Sequence, residues 1–227
     1  MDEVLMDRAV VEARPQLRIY GWDEPTVSIG YFQSITERES HPPSCGCPLV
    51  RRPSGGGAIV HDREITYALA IPGAWRASEQ RDFYRRVHQG LVELLVRLGA
   101  DASLYARPAV GQAASDPFLC FQRRMEGDVV IGACKVIGSA QRRGKGAVVQ
   151  HGTVLLNASP AAPELPGIED LSAIRLEREE WAWQVRDAVT GALDLEPEDV
   201  PLRERERAAA QRTVDQKHGR KEWCARR

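Results

Sequence analysis

The stretch "RRPSGGGAIVHDREITYALAIP", residues 51–72, sets three consecutive glycines between a doubly basic start and an alternating apolar run. Glycine loses more backbone freedom on ordering than any other residue. Taken alone, the triplet fits a tight turn between strands. It also fits a backbone that approaches an anionic or carbonyl-bearing ligand with its N–H groups free to donate. Ser54 adds a hydroxyl to the second reading, and Arg51 and Arg52 add positive charge. The spacing is neither a Walker nor a dinucleotide-binding pattern. "AIV" and "ITYALAI" flank His61-Asp62-Arg63-Glu64 and predict strand, turn, strand.

Upstream, residues 2–14 read as an amphipathic helix ending before Pro15. "LRIYGW" (17–22) and "TVSIGYF" (26–32) are β-rich runs parted by Asp23-Glu24-Pro25, which predicts a hairpin with a longer turn. Residues 34–48 form a polar, proline-rich connection. Downstream, residues 78–100 predict a helix capped by Ser78. Its apolar stripe is Phe83, Val87, Leu91, Leu94, Leu95 and Leu98, and Gly99 stops it. His88 lies off the stripe and reads as solvated. Residues 128–143 and 146–157 alternate and carry turn glycines, as a twisted antiparallel pair or triplet would. After the proline-rich stretch 159–166, residues 178–193 and 201–217 read as helices. Together these elements predict one α+β domain over residues 1–227, with strands in the middle and helices around them.

The 227 residues are 43% hydrophobic and 28% charged, which implies a packed core and excludes general disorder. A net charge of -1 argues against a bulk polyanion binder, so nucleic acid is not expected as a partner. No apolar run approaches the ~20 residues needed to span a membrane. The acidic start, "MDEVLMDRAV", lacks a signal-peptide core, and a soluble cytoplasmic protein is expected. The five cysteines are odd in number and irregularly spaced, so no disulfide framework is expected. Cys45 and Cys47 would need two more ligands to hold zinc, with His41 alone nearby, and a plain loop is the preferred reading.

Two further clusters carry chemistry. In "CKVIGSAQRR", Lys135 opens an apolar strand; facing a pocket, its ammonium would serve a phosphate or an acyl carbonyl, and facing water it would be an ordinary surface lysine. In "VVQHGTVLLN", His151 reads either as a hydrogen-bonded core residue or as a pocket wall with Gly152 and Thr153.

The glycine stretch, then "CKVIGSAQRRGKGAVVQHGTVLLN", in that order and separated by a helix, resembles the lipoate–protein ligase and octanoyltransferase family. That family shares its catalytic domain with biotin–protein ligases. "MDEVLMDRAV" is similar to its first helix, "LRIYGWDEPTVSIGYFQ" to its opening hairpin and "EWCARR" to its tail, so the resemblance covers essentially the whole chain. It implies a mixed, largely antiparallel sheet flanked by helices, with an acyl tunnel. It also implies delivery of an octanoyl or lipoyl group to one lysine of a lipoyl carrier domain. By resemblance, Arg52, Ser54, Gly55, Gly56, Gly57 and His61 match the acyl and acyl-phosphate loop. Lys135 matches the functional lysine, and Gly138, Ser139, Ala140, His151, Gly152 and Thr153 match the facing wall. Trp22 and Tyr31 flank the first strands as tunnel candidates.

The family holds two reaction types. Its ligases use ATP and magnesium to make lipoyl-adenylate. Its transferases take octanoate from acyl carrier protein through a cysteine thioester and need no cofactor. "LCFQ" resembles the transferases' Cys-Phe placement and makes Cys120 the nucleophile, fifteen residues before Lys135. Cys134 adjoins Lys135 and, on a strand, faces the opposite way. The ligases carry an asparagine-bearing motif where this chain has Gly30-Tyr31-Phe32-Gln33. One departure from the transferases stands out: "QRRMEGD" follows Cys120 where they carry an aromatic, proline-containing segment. Nothing in the chain is left over for a C-terminal accessory domain, and a monomer is expected. The implied partners are octanoyl-acyl carrier protein and lipoyl carrier domains of glycine cleavage H protein or 2-oxoacid dehydrogenase E2. Arg123, Arg124, Arg142, Arg143 and Lys145 are either guides for such acidic partners or solvated hairpin charge.

Overall fold

A computed structural model describes residues 1–106, 117–144 and 146–225. Helix α1 (Asp2–Glu12) leads into β1 (Gln16–Tyr20), β2 (Thr26–Ile29), β3 (Leu49–Arg51), β4 (Ile59–His61) and β5 (Glu64–Pro72). Helix α2 (Ala77–Arg97) then precedes β6 (Ala102–Leu104), β7 (Val129–Ile131), β8 (Cys134–Gly144) and β9 (Ala147–Leu155). The remainder is helical: α3 (Ile168–Leu171), α4 (Arg178–Gly191), α5 (Glu204–Thr213) running into a π-helical turn (Val214–His218), and α6 (Lys221–Cys224).

A six-stranded sheet runs β1-β5-β9-β8-β7-β6, antiparallel throughout. A three-stranded sheet runs β3-β2-β4, with β2 and β3 parallel. The α+β class and the mixed, largely antiparallel sheet are therefore as expected. The hairpin expected from 17–32 does not form. β1 pairs with β5 in the large sheet, whereas β2 pairs with β3 and β4 in the small one. The strand–turn–strand of 58–71 is likewise divided between the sheets. Both arms change sheet at one corner, where Trp22 stacks on His61 at 4.2 Å. Alternation marks a strand but not its partner, so a local turn signal cannot tell a hairpin from a corner.

One face of the large sheet carries α1 through Leu5, Met6 and Ala9 against Ala68, Ala70, Ala147 and Val149. The other face carries α2 and α4, with Phe83, Val87, Leu91, Leu95, Trp181 and Val185 buried against Ile65, Leu69 and Ile137. Helix α2 begins without the expected Ser78 cap; the Glu79 carboxylate accepts from the Arg76 N–H at 2.6 Å instead. Each fully buried side chain of that stripe contributes roughly 2 kcal/mol, against about 1 kcal/mol for a cap, so packing fixes the helix whichever residue caps it. His88 is a second correction: it is fully buried, not solvated.

Candidate active site

The glycine loop crosses the face of the large sheet that carries α1, and its geometry explains its composition. A Cβ on Gly30 would lie 1.9 Å from the Gly56 carbonyl oxygen, and Gly56 itself has φ +93°. Only glycine at both positions allows this crossing. Arg52 sits inside the loop, donating from Nη1 to the Ser28 carbonyl and from Nη2 to those of Gly55 and Gly57, at 2.7–2.9 Å. Burial lowers its pKa to about 10, with the Cys120 sulfur opposing that shift. Arg51 holds the loop from behind through the carbonyls of Gly30, Gln33 and Cys224. Among the described residues, the N–H groups of Gly55, Gly56 and Gly57 donate to no protein acceptor.

The end of the loop is sewn to the segment bearing Cys120. The Ala58 N–H donates to the Phe118 carbonyl at 2.8 Å, and the Cys120 N–H donates to the Ala58 carbonyl at 2.7 Å. Lys135 approaches from β8: its Nζ lies 3.8 Å from the Cys120 sulfur and 2.8 Å from Asp128 Oδ2. Asp128 is held in turn by the Met125 N–H and the Tyr84 hydroxyl. The lysine turns back over Gly138, where an added Cβ would meet Lys135 Cε at 2.3 Å. Loop, thiol and ammonium thus converge. Cys134 is a free, half-buried thiol.

The residues 138–140 and 151–153 divide between the two faces of the sheet, as strand alternation dictates. Gly138 faces Lys135, and His151 faces the loop, 2.6 Å from Ser54 Oγ. Ala140 pairs with His151 and Gly138 with Thr153. Ser139 and Gly152 face α2 instead. Ser139 Oγ bonds both the Tyr67 hydroxyl and His88 Nε2 at 2.6 Å, and a Cβ on Gly152 would meet Ser139 Oγ and the Tyr67 ring. Burial lowers the His88 pKa to about 4 and raises that of Tyr67 to about 12. His61 stands behind the loop, bonded to Ser28 at 2.8 Å and stacked on Trp22. Tyr31 packs on Phe32 and Trp223.

Asp128 and Tyr84, beside Lys135, and Tyr67 and His88, beside Ser139, are partners of the candidate residues that the sequence reading missed. For His88 a signal was present: Tyr84, His88 and Val92 repeat every four residues beside the apolar stripe, widening the buried face. The expected acyl tunnel is not one of the two cavities described. One of about 570 Å³ is lined by Leu5, Arg8, Leu17 and Trp183, and one of about 460 Å³ lies beside Asp62 and Pro160. Around the lysine, the ammonium of Lys135 packs over Gly138 and against Phe121. His41, the third ligand a zinc site at Cys45 and Cys47 would need, bonds Ser44 and Glu164. Of the arginines expected to guide partners, Arg142 pairs with Glu3, Arg143 donates to the Trp75 carbonyl and Arg124 to that of Ala133. Lys145, Arg226 and Arg227 lie outside the described residues.

Residues 1–200 match the model of the lipoyl protein ligase A/B catalytic domain. The chain belongs to that family. An octanoyltransferase LipM of Kyrpidia tusciae is 35% identical over 89% of this chain and 78% of its own length. The LipM of Symbiobacterium thermophilum is 32% identical over 95% and 88%, respectively. That of Geobacillus kaustophilus is 36% identical over 69% of this chain and 60% of its own length. The fold matches a bi-partite lipoate protein ligase of Thermoplasma acidophilum with TM-score 0.76 at 22% identity, covering 99% of this chain and 89% of that one. It matches a lipoate-protein ligase A bound with ATP with TM-score 0.75 at 22% identity, covering 99% and 91%. In this family the transferase and the ligase share one scaffold, so the site must distinguish them.

Proposed function

We propose that this chain is an octanoyltransferase of protein lipoylation that works through a thioester on Cys120. It moves an octanoyl group from acyl carrier protein to a lysine of a lipoyl carrier domain. The observation that carries the reading is the buried Lys135 ammonium, 3.8 Å from the Cys120 sulfur and fixed by Asp128. A cation at that distance stabilises sulfur anion both as attacking nucleophile and as leaving group. The sulfur attacks the carrier's thioester carbonyl, a new C–S bond forms, and the carrier's sulfur departs. In this reading the unengaged N–H groups of residues 55–57 stabilise the oxyanion of that step. No cofactor enters this scheme.

A ligase reading needs ATP and magnesium, and no observation at the site favours it. Arg52, the guanidinium a nucleotide phosphate would recruit, has both Nη atoms on backbone carbonyls. We read the described residues as one catalytic unit, acting as a monomer in the cytoplasm. No helix among them is long and apolar enough to cross a membrane, which agrees with that setting. The exposed arginines 124 and 143 serve in this reading as guides for acidic carriers.

The test mixes the protein with an apo lipoyl domain and supplies either octanoyl-acyl carrier protein alone or free lipoate with ATP and magnesium. Product masses decide. Transfer without ATP that disappears in Cys120→Ala is expected. Modification only with ATP, indifferent to Cys120→Ala, would sink the transferase reading.

A further inference from the structure

Three side chains, from the glycine loop, β9 and α1, have the geometry of a proton relay. Ser54 Oγ lies 2.6 Å from His151 Nε2, and His151 Nδ1 lies 2.7 Å from Asp2 Oδ2. A carboxylate can only accept, so Nδ1 carries the proton and Nε2 is left to accept from the hydroxyl. The group is shielded: Ser54 is 3% exposed, and the side chains of His151 and Asp2 are 15% and 17% exposed. Burial opposes ionisation of Asp2, but the His151 hydrogen bond and nearby positive charge outweigh it and hold the carboxyl below its ordinary range. Three elements contribute one residue each: α1 brings Asp2, β9 brings His151, and the glycine loop brings Ser54.

The relay is tied to the Cys120–Lys135 pair through the glycine loop and the sheet. Ser54 begins the loop whose other end is tied to Cys120 through Ala58. His151 pairs with Ala140, one same-face step along β8 from Gly138, over which Lys135 lies. That step is about 7 Å.

Under the thioester reading, on which this inference rests, the second half-reaction needs a base. The incoming carrier lysine must lose a proton, and the Lys135 ammonium is already engaged by Asp128 at 2.8 Å. We propose that Ser54, His151 and Asp2 accept that proton. The amine nitrogen bonds the thioester carbonyl, the C–S bond breaks, and its electron pair leaves on Cys120 beside the Lys135 ammonium. One proton of the lysine ammonium passes to Ser54 Oγ as the hydroxyl proton moves to His151 Nε2, which frees the nitrogen lone pair for the attack, and the second proton lost on amide formation passes to the departing Cys120 sulfur. Asp2 is a positioning residue that orients the imidazole and balances its charge. Arg18 of β1 and the Met1 amino group face Asp2, and Tyr20 of β1 lies beside it.

Single-turnover mass spectrometry separates the half-reactions: acylation of Cys120 by octanoyl-acyl carrier protein, then discharge to an apo lipoyl domain across about pH 6.5 to 9. Asp2→Asn should acylate at the wild-type rate and discharge roughly 100-fold more slowly. The deficit should close as pH rises toward the lysine pKa of about 10.4. Discharge to hydroxylamine, an amine unprotonated at neutral pH, should be little changed. Ser54→Ala leaves the Asp2–His151 pair intact and serves if Asp2→Asn does not fold. Equal losses in both half-reactions, or a deficit that pH and hydroxylamine do not relieve, would overturn the relay and leave the transferase standing. A wild-type protein that forms no acyl-enzyme overturns the transferase reading and the relay with it.

Discussion

Lys135 and Asp128 form an ion pair whose side chains are 4% and 2% exposed. Removing one member of such a pair strands the other charge, which costs about 3–5 kcal/mol. Asp128→Ala should therefore lower stability by that amount in denaturant melts. Lys135→Met, which has an apolar body of similar length, should abolish transfer by either substrate route, and retained full activity would remove the lysine from the site. His88 sets a pH dependence. Its folded pKa is lowered from 6.5 to about 4 by burial, so the unfolded chain binds its proton first. Stability falls as pH drops through that window, by about 3 kcal/mol at its foot. His88→Gln should be less stable at neutral pH yet show a flatter decline between pH 6.5 and 4. An unaltered slope would place the acid sensitivity elsewhere. At this scale the family resemblance singled out Cys120, Lys135 and the glycine loop, because it is carried by short stretches of contiguous sequence. It did not name Asp128, whose approach to Lys135 depends on the register shift between Val129 and Val130.

Strand β8 shows how an element aims a side chain. Gly138 lets Lys135 fold back toward Asp128 and Cys120, and a methyl group there would sit 2.3 Å from Lys135 Cε and 2.7 Å from its Nζ. The far end of a flexible lysine can move aside cheaply, so Gly138→Ala should keep the fold. It should lower kcat by at least about tenfold, since a displacement near 1 Å at the reacting atoms costs up to about 100-fold. A melting temperature like wild type beside a depressed kcat is the expected pair of results. Alternation along β8 and β9 also explains why a contiguous motif serves two ends. Gly138 and His151 face Lys135 and the glycine loop, while Ser139 and Gly152 join Tyr67 and His88 in the polar layer under α2. The sequence shows six neighbouring residues; only the pleat sorts them.

Across the molecule, Arg51 ties the C-terminal turn to the glycine loop. It is 2% exposed and donates to the carbonyls of Gly30, Gln33 and Cys224, while Trp223 Nε1 donates to the Arg51 carbonyl at 2.8 Å. Arg51→Ala should leave those buried carbonyls unpaired at roughly 1–3 kcal/mol each. Hydrogen exchange should then rise at 28–33 and 52–58 together, with the α2–α4 layer unchanged; uniform acceleration would mean the clamp is global. "RR" in the sequence reads as charge offered to a ligand. In the fold both arginines turn inward and build the loop a ligand would meet.

Composition, periodicity and motif order were enough to settle the α+β class, most of the strands, the long helix of 77–97 and the family, because each rests on residues close in sequence. The corner between the sheets, the burial of His88, the Asp128–Lys135–Cys120 contact and the Asp2–His151–Ser54 chain were decided only by tertiary structure. Each joins residues from separate elements through strand pairing and helix packing. A side chain's neighbours across a sheet depend on which strands meet and in what register, and no local pattern encodes that.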